Sequence, residues 1–126
     1  MPRLALPTLV AAALCCGCAT APTAVIYSTV DIEQAQRAYS LARVWGPAFI
    51  ARDLMPGVQW RPSIAAVLCS ADRVLVLWSA HAAASIEVGR EIATATACGR
   101  PMVPVLLDSQ PLPAVLADVH AVDWRQ

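Results

Sequence analysis

Two continuous apolar runs, separated by a segment with helix-start and helix-stop signals, constrain the fold of this chain more than any other feature. The runs are residues 73–78 (RVLVLW) and 102–107 (MVPVLL). Strands that are apolar throughout are typical of parallel sheets, which helices cover on both faces. Between the runs, Ser85 is suited to cap a helix N-terminus, and Gly99 with Pro101 is suited to end that helix. The segment therefore predicts a β-α-β unit of a parallel sheet.

The same alternation of strand and helix extends over most of the chain. Strands are predicted at residues 24–28, 48–51, 73–78, 102–107 and 121–124. Residues 31–34 (DIEQ) are typical of a capping box at the start of the first helix, and Pro62 fits the first turn of the second. At 126 residues the chain is long enough for one domain only. This pattern predicts an α/β fold, namely a flavodoxin-like open parallel five-stranded sheet of order 2-1-3-4-5 with helices on both faces.

Side-chain patterns within these elements give further expectations. The first helix has an apolar stripe that is expected to face the sheet and includes Ile32, Ala35, Tyr39, Ala42 and Trp45. Cys69 and Cys98 are isolated in the sequence, and we expect them to be small buried hydrophobic residues. Nine Arg and no Lys balance nine acidic residues without any run of like charge, which argues against a nucleic-acid partner.

Residues 1–23 form an apolar leader of the signal-peptide or lipoprotein type. Residues 4–16 are uncharged and apolar behind Arg3, a length that suits a signal peptide and is too short to span a bilayer. Cys18 is the candidate for lipid modification, and residues 19–21 (ATA) offer a competing ordinary cleavage site. We therefore expect a membrane-associated, exported lipoprotein, or a cytoplasmic protein if the leader is not processed. From Cys18, the five residues before Ala24 reach only about 17 Å, which would hold the domain against the membrane.

Topology indicates where a ligand site belongs. Ligands of such sheets bind beyond the carboxyl ends of the strands, at the switch point between the first and third strands. Those ends are residues 28–31 and 79–85, flanked by a loop at residues 52–60. The chain has no glycine-rich nucleotide motif, no G-x-S-x-G and no pair of His at metal spacing, so no metal site is predicted. Carboxylates and hydroxyls are the remaining candidates for chemistry.

Glu87 and Glu91 are the most informative of these, because residues four apart share one face of a helix. Their mutual repulsion is expected to raise the pKa of one of them. The alternative is a solvated helix face on which Arg90 softens the repulsion. The other candidates have local alternatives too, since Ser28 and Ser79 suit local caps, and Trp60 suits the core. Arg52 and Asp53 equally suit an exposed turn.

In their order and spacing, these segments resemble a TIR (Toll/interleukin-1 receptor homology) domain of bacterial type, over residues 24–126. Residues 25–31 (VIYSTVD) resemble the opening strand of that family, and residues 46–60 resemble its second strand and mobile BB loop. Residues 71–79, Ser85, Glu91 with Ile92, and residues 99–105 resemble the third strand, the catalytic helix and the fourth strand.

The resemblance implies a flavodoxin-like fold and, for catalytic members, cleavage of the bond between nicotinamide and ribose in NAD, in bacterial signalling or defence. It implies that Glu91 is the catalytic residue, that NAD is substrate rather than cofactor, and that other TIR domains are partners in a homo-oligomer. The substrate-binding positions that it implies are Tyr27, Ser28, Arg52, Asp53, Gly57, Trp60, Ser79 and Glu87.

Two other functions stay open. Many catalytic TIR domains have tryptophan where this chain has Glu87, which favours a module that only pairs with other TIR domains through the loop at Pro56-Gly57. A nucleoside deoxyribosyltransferase-like enzyme shares this sheet and uses a helix glutamate as nucleophile. Turnover of deoxynucleosides rather than NAD would distinguish that enzyme.

Overall fold

The computed structural model describes residues 22–50 and 60–125, which form a five-stranded parallel sheet. The strands are β1 (Thr23–Ile26), β2 (Ala48–Ile50), β3 (Arg73–Trp78), β4 (Met102–Leu106) and β5 (Val122–Asp123). Their spatial order is β2-β1-β3-β4-β5, and every neighbouring pair is parallel. The predicted sheet and its strand order 2-1-3-4-5 are therefore confirmed.

Helices connect the strands. They are α1 (Ile32–Arg43), α2 (Trp60–Ser70), α3 (Ala80–Ala83) and α4 (Ile86–Ala97), with single 3-10 turns at Thr29–Asp31 and Ala114–Leu116. Ser85 caps α4 as predicted, since its hydroxyl accepts a hydrogen bond of 3.2 Å from the Val88 N–H. The short helix α3 begins in the same way at Ser79, whose hydroxyl accepts from the Ala82 N–H at 3.1 Å.

The sheet separates two apolar layers. Val74, Val76 and Trp78 alternate with Leu75 and Leu77 along β3, so that the first three side chains face one layer and the other two face the opposite layer. The first layer is completed by Ile64, Leu68, Val88 and Ile92, which come from α2 and α4. The second layer is completed by Ala35, Ala38, Val25, Ile50 and Val105. Because both faces are covered, the strand sequences are apolar throughout.

Two expectations for α1 are wrong. Asp31 precedes α1 but makes no side-chain capping bond, because its carboxylate is hydrogen bonded to a residue of another loop. Trp45 does not extend the buried stripe and is 73% exposed, because α1 ends at Arg43 and the chain turns toward β2. The helical period of the stripe therefore does not apply to Trp45.

Cys69 and Cys98 form a disulfide, so the expectation of two unpaired buried thiols is wrong. Cys69 is the penultimate residue of α2, and Cys98 directly follows α4. Because α2 and α4 pack side by side on one face of the sheet and end at the same edge, the two Cα atoms lie 5.4 Å apart.

The predicted leader is almost wholly outside the described residues. β1 begins at Thr23, so the last residue of the predicted leader belongs to the sheet. No helix in the described ranges has both the length and the apolar character needed to cross a bilayer.

Candidate functional site

The carboxyl ends of β1 and β3 lie side by side, because Ile26 pairs with Val76 across the two strands. The segments that follow these strands are joined by a buried hydrogen bond, in which the Ser79 hydroxyl donates to Asp31 Oδ2 at 2.6 Å. Both side chains are buried. A short bond to a carboxylate is among the stronger hydrogen bonds in proteins. Asp31 therefore fixes the two loops at the switch point, a role that sequence reasoning missed because an aspartate before a helix also fits a cap.

The two serines of the switch point serve the local backbone. The Ser28 hydroxyl accepts a 3.4 Å hydrogen bond from the Val30 N–H, and Ser79 caps α3 while it donates to Asp31. Both serines are buried. Tyr27 is half-buried against the core layer that faces α1. Their assignment as substrate-binding residues stays a prediction.

Glu91 lies in a cleft between α2 and α4. The cleft has a volume of about 330 Å³. Its described lining comes from these two helices and consists of Ile64, Ala65, Glu87, Arg90, Glu91, Ala93 and Thr94. Glu91 is half-buried, and the apolar side chains of α2 form the opposite wall. The carboxyl group therefore sits in a concave and partly apolar environment.

That environment changes the acidity of the group. Burial, and to a lesser extent the negative charge of Glu87, together raise the pKa of Glu91 to about 7. Arg90 does not neutralise Glu91, because its guanidinium is paired with the Glu87 carboxylate at 3.1 Å. A carboxyl group with a pKa near neutrality is suited to acid–base or electrostatic catalysis.

The structure brings some of the predicted site residues together. Glu87 and Glu91 share the cleft, whereas Ser28 and Ser79 lie at the switch point and do not line it. Arg52, Asp53 and Gly57 lie outside the described residues, as do Pro56 and the rest of residues 51–59. Trp60 is the first residue of α2, which forms one wall of the cleft. Within the described ranges, no group of three His, Cys, Asp or Glu residues is arranged to hold a metal ion.

The raised pKa of Glu91 predicts a pH-dependent stability. The folded state holds the proton of Glu91 up to about pH 7, whereas the unfolded chain releases it near pH 4.5. The free energy of unfolding therefore falls as the pH rises between these two values. We expect Glu91→Gln to stabilise the protein by about 1–2 kcal/mol at pH 8, allowing for solvent screening of a half-buried group, and to change little at pH 4. Urea denaturation of both proteins at the two pH values measures this difference.

Glu33 provides the matched control for this measurement, because it is an exposed glutamate on the helix α1. Glu33→Gln is expected to leave the stability unchanged within about 0.5 kcal/mol at both pH values. Equal stabilities of the wild type and Glu91→Gln at pH 8 would show that the carboxyl group is well solvated.

Comparisons with solved structures give the same fold. The TIR domain of a Toll-related receptor from the lower metazoan Hydra magnipapillata is similar, with a TM-score of 0.71 and 19% identity over 81% of this chain and 82% of that one. A 2-desoxiribosyltransferase from Leishmania mexicana is similar with a TM-score of 0.54 and 14% identity, over 71% of this chain and 67% of that one. At these identities the likeness concerns the fold alone.

Sequence comparison identifies the family. No curated protein sequence matches this chain. The sequence profile of the TIR domain matches residues 24–126, which is the whole of the sheet and its helices apart from the first residue of β1. The chain therefore belongs to the TIR domain family.

Proposed function

We propose that this TIR domain cleaves the bond between nicotinamide and ribose in NAD, in a bacterial signalling or defence pathway. The observation that supports this proposal best is the position of Glu91. It lies in a cleft, its pKa is raised to about 7, and it occupies the α4 position that the family resemblance assigns to the catalytic glutamate. A carboxyl group on a merely solvated helix face would have neither the cleft nor the raised pKa.

The proposed reaction needs the ionised form of Glu91. As the bond between ribose C1′ and the nicotinamide nitrogen breaks, the bonding electrons neutralise the pyridinium ring, and positive charge develops on the ribose as an oxocarbenium-like centre. A carboxylate in a partly apolar cleft stabilises that charge more strongly than it would in water. Water then adds at C1′ and loses a proton to the solvent to give ADP-ribose, or a nucleophile within the same molecule adds there to give a cyclic product.

Substrate binding favours the required ionisation. The nicotinamide ring of NAD is cationic, and a cation close to a carboxyl group lowers its pKa. Glu91 therefore ionises on binding at neutral pH, although burial holds it partly protonated in the free protein. The desolvation that raises this pKa is the same property that strengthens the attraction to the developing charge.

The experiment that tests the proposal is a product assay on the purified full chain. NAD and, separately, deoxynucleosides are incubated with the protein, and the released bases and nucleotides are separated by liquid chromatography. We expect slow release of nicotinamide with ADP-ribose or its cyclic form as the second product. Turnover of deoxynucleosides without release of nicotinamide would support a deoxyribosyltransferase-like enzyme instead.

The rate of nicotinamide release is expected to rise with pH through about 7, because kcat/KM reports the ionisation of Glu91 in the free protein. Removing the neighbouring charge with Glu87→Gln takes away one of the two causes of the raised pKa. The midpoint of the pH profile of kcat/KM should then move to lower pH. A midpoint that does not move would show that Glu87 has no electrostatic effect on the reacting group.

A second candidate function is a module that binds other TIR domains without turnover. The observation that favours it is the exposure of two apolar side chains in the segments that follow β1 and β3, with Val30 64% and Ile86 73% exposed. Exposed apolar side chains mark a protein interface where they form one contiguous patch. A chain that self-associates through Val30 and Ile86, and releases no product from either substrate, would have this second function.

A further inference from the structure

Apolar side chains are also exposed at the opposite edge of the sheet, where the strands begin. We define the amino-edge patch as Leu41, Val44 and Trp45, which are 50%, 75% and 73% exposed. They occupy the last turn of α1 and the turn that leads into β2. The Thr23 N–H donates to the Pro47 carbonyl at 2.9 Å, so this turn lies beside the first residue of β1.

Three arginines lie along the same edge of the sheet as the amino-edge patch. Arg43 ends α1, Arg73 begins β3, and Arg100 lies just before β4. The Arg73 Nε donates to the Thr23 hydroxyl at 3.2 Å, and Arg100 bonds the carbonyls of Cys98 and Ala71. These contacts place Arg73 and Arg100 along the same edge as the patch.

The two edges of the sheet differ in charge. Asp72 is the single carboxylate in the described turns that lead into β1, β2, β3 and β4. These turns are residue 22 and residues 44–47, 71–72 and 98–101. The described segments that follow β1, β3 and β4 contain Asp31 and Asp108 and no arginine. These segments are residues 27–31, 79–85 and 107–113. Arg43, Arg73 and Arg100 outnumber Asp72 where β1 to β4 begin, so this part of the edge is more basic than the opposite one.

The leader joins the domain at this same basic edge. Twenty-two residues precede Thr23, and residues 4–16 of them are apolar. If the leader holds the chain in a membrane, the four residues between Cys18 and Thr23 reach roughly 14 Å at most. The nearest part of the domain is then the edge that begins with Thr23. Trp45 and the arginines would lie at the height of the lipid headgroups.

We propose that the amino-edge patch docks on the surface of an anionic phospholipid bilayer. Tryptophan is favoured at the boundary between headgroups and acyl chains, and arginines near an anionic surface are attracted to it. In this orientation the carboxyl ends of the strands, with Asp31 and Ser79, face away from the bilayer. The proposal does not depend on whether the protein cleaves NAD.

The test uses the full chain with Cys18→Ala, so that no fatty acid is attached, on vesicles of brominated phosphatidylcholine with and without phosphatidylglycerol. We expect bromine to quench the emission of Trp45, measured as the difference between this protein and its Trp45→Phe variant. Arg43→Gln and Arg73→Gln should each lower partitioning onto the anionic vesicles about fivefold, because each basic residue near an anionic surface contributes roughly a fivefold factor to binding. Adding about 0.5 M salt should remove the difference between these variants and the parent protein, because salt screens the attraction.

Ile86→Ser is the matched control, because Ile86 is as exposed as Trp45 but follows the carboxyl end of β3. It should leave the partitioning and the quenching unchanged. Two results would overturn the proposal. One is a chain that sediments with the vesicles while Trp45 is not quenched, which would mean that the leader binds alone. The other is a dimer in the absence of lipid that Trp45→Phe dissociates, which would mean that a second copy covers the patch.

Discussion

Glu91→Gln is expected to lower the rate of nicotinamide release from NAD by about 10²- to 10³-fold, as the loss of one preorganised electrostatic group typically does. Glutamine keeps nearly the same shape in the cleft between α2 and α4, but it has no charge to stabilise the developing cation. The oxocarbenium-like charge exists only in the transition state, so kcat should fall, and KM should also rise because the variant loses the attraction of the carboxylate for the cationic nicotinamide ring. Initial rates over a range of NAD concentrations separate kcat from KM.

The interpretation of this variant needs a check that it folds. The variant is expected to be at least as stable as the wild type at pH 8, since it removes a half-buried carboxyl group with a raised pKa. Glu33→Gln serves as the activity control, because Glu33 is exposed on α1, which packs on the other face of the sheet from α4. Unchanged turnover in a folded Glu91→Gln protein would refute glycosidic cleavage by this residue.

The sheet was predictable because its signal is repeated and local. Each strand of a parallel sheet is buried on both faces, so the runs at residues 73–78 and 102–107 are apolar without interruption. Ser85 marks the start of α4 by a bond to a backbone N–H three residues away. Such features depend on near neighbours in the chain, and strand order then follows from a small set of connection rules.

The position of Glu91 was only partly predictable. Its spacing from Glu87 indicated a coupled pair, and the pKa of Glu91 is indeed raised by that neighbour. The sequence did not show which glutamate is more buried. That depends on how α4 rotates against Ile64 and Ala65 of α2, and this contact spans more than twenty residues of chain. The site residues between positions 51 and 59 stay predictions.

Three features were mispredicted, two of them because tertiary contacts override local patterns. Asp31 fits a capping box, yet it bonds Ser79, which is 48 residues away. Trp45 fits the apolar stripe of α1, yet α1 ends before it. Cys69 and Cys98 are far apart in sequence, and they pair because two helices end at the same edge of the sheet. For Asp31 and for the two cysteines a second segment of chain decides the outcome, whereas for Trp45 the end of the helix decides it.

Removing the disulfide with Cys69→Ala and Cys98→Ala together is expected to lower the free energy of unfolding by about 3–4 kcal/mol. The bond closes a loop with a sequence separation of 29 residues, and closing a loop of that size restricts the unfolded chain by about this amount. Urea denaturation of the wild type under oxidising conditions, compared with the double variant, measures the loss. A dithiol reductant should bring the wild type to the stability of the double variant and should leave the double variant itself unchanged.

The same bond ties together the two walls of the Glu91 cleft. Cys69 belongs to α2 and Cys98 follows α4, so removing the bond frees the carboxyl ends of both helices. The packing of Ile64 and Ile92 still holds the two helices on the sheet. We therefore expect a folded double variant whose KM for NAD rises and whose kcat changes little, because the cleft becomes less preorganised while Glu91 stays in place. Disulfides persist in oxidising compartments, and the export of this chain stays a prediction. Steady-state kinetics of the double variant tests the expected change of KM. Trapping free thiols in intact cells with a membrane-impermeant alkylating reagent, before and after reduction, tests whether Cys69 and Cys98 are paired. Thiols at 69 and 98 that react without reduction, in a protein of unchanged stability, would contradict a structural disulfide.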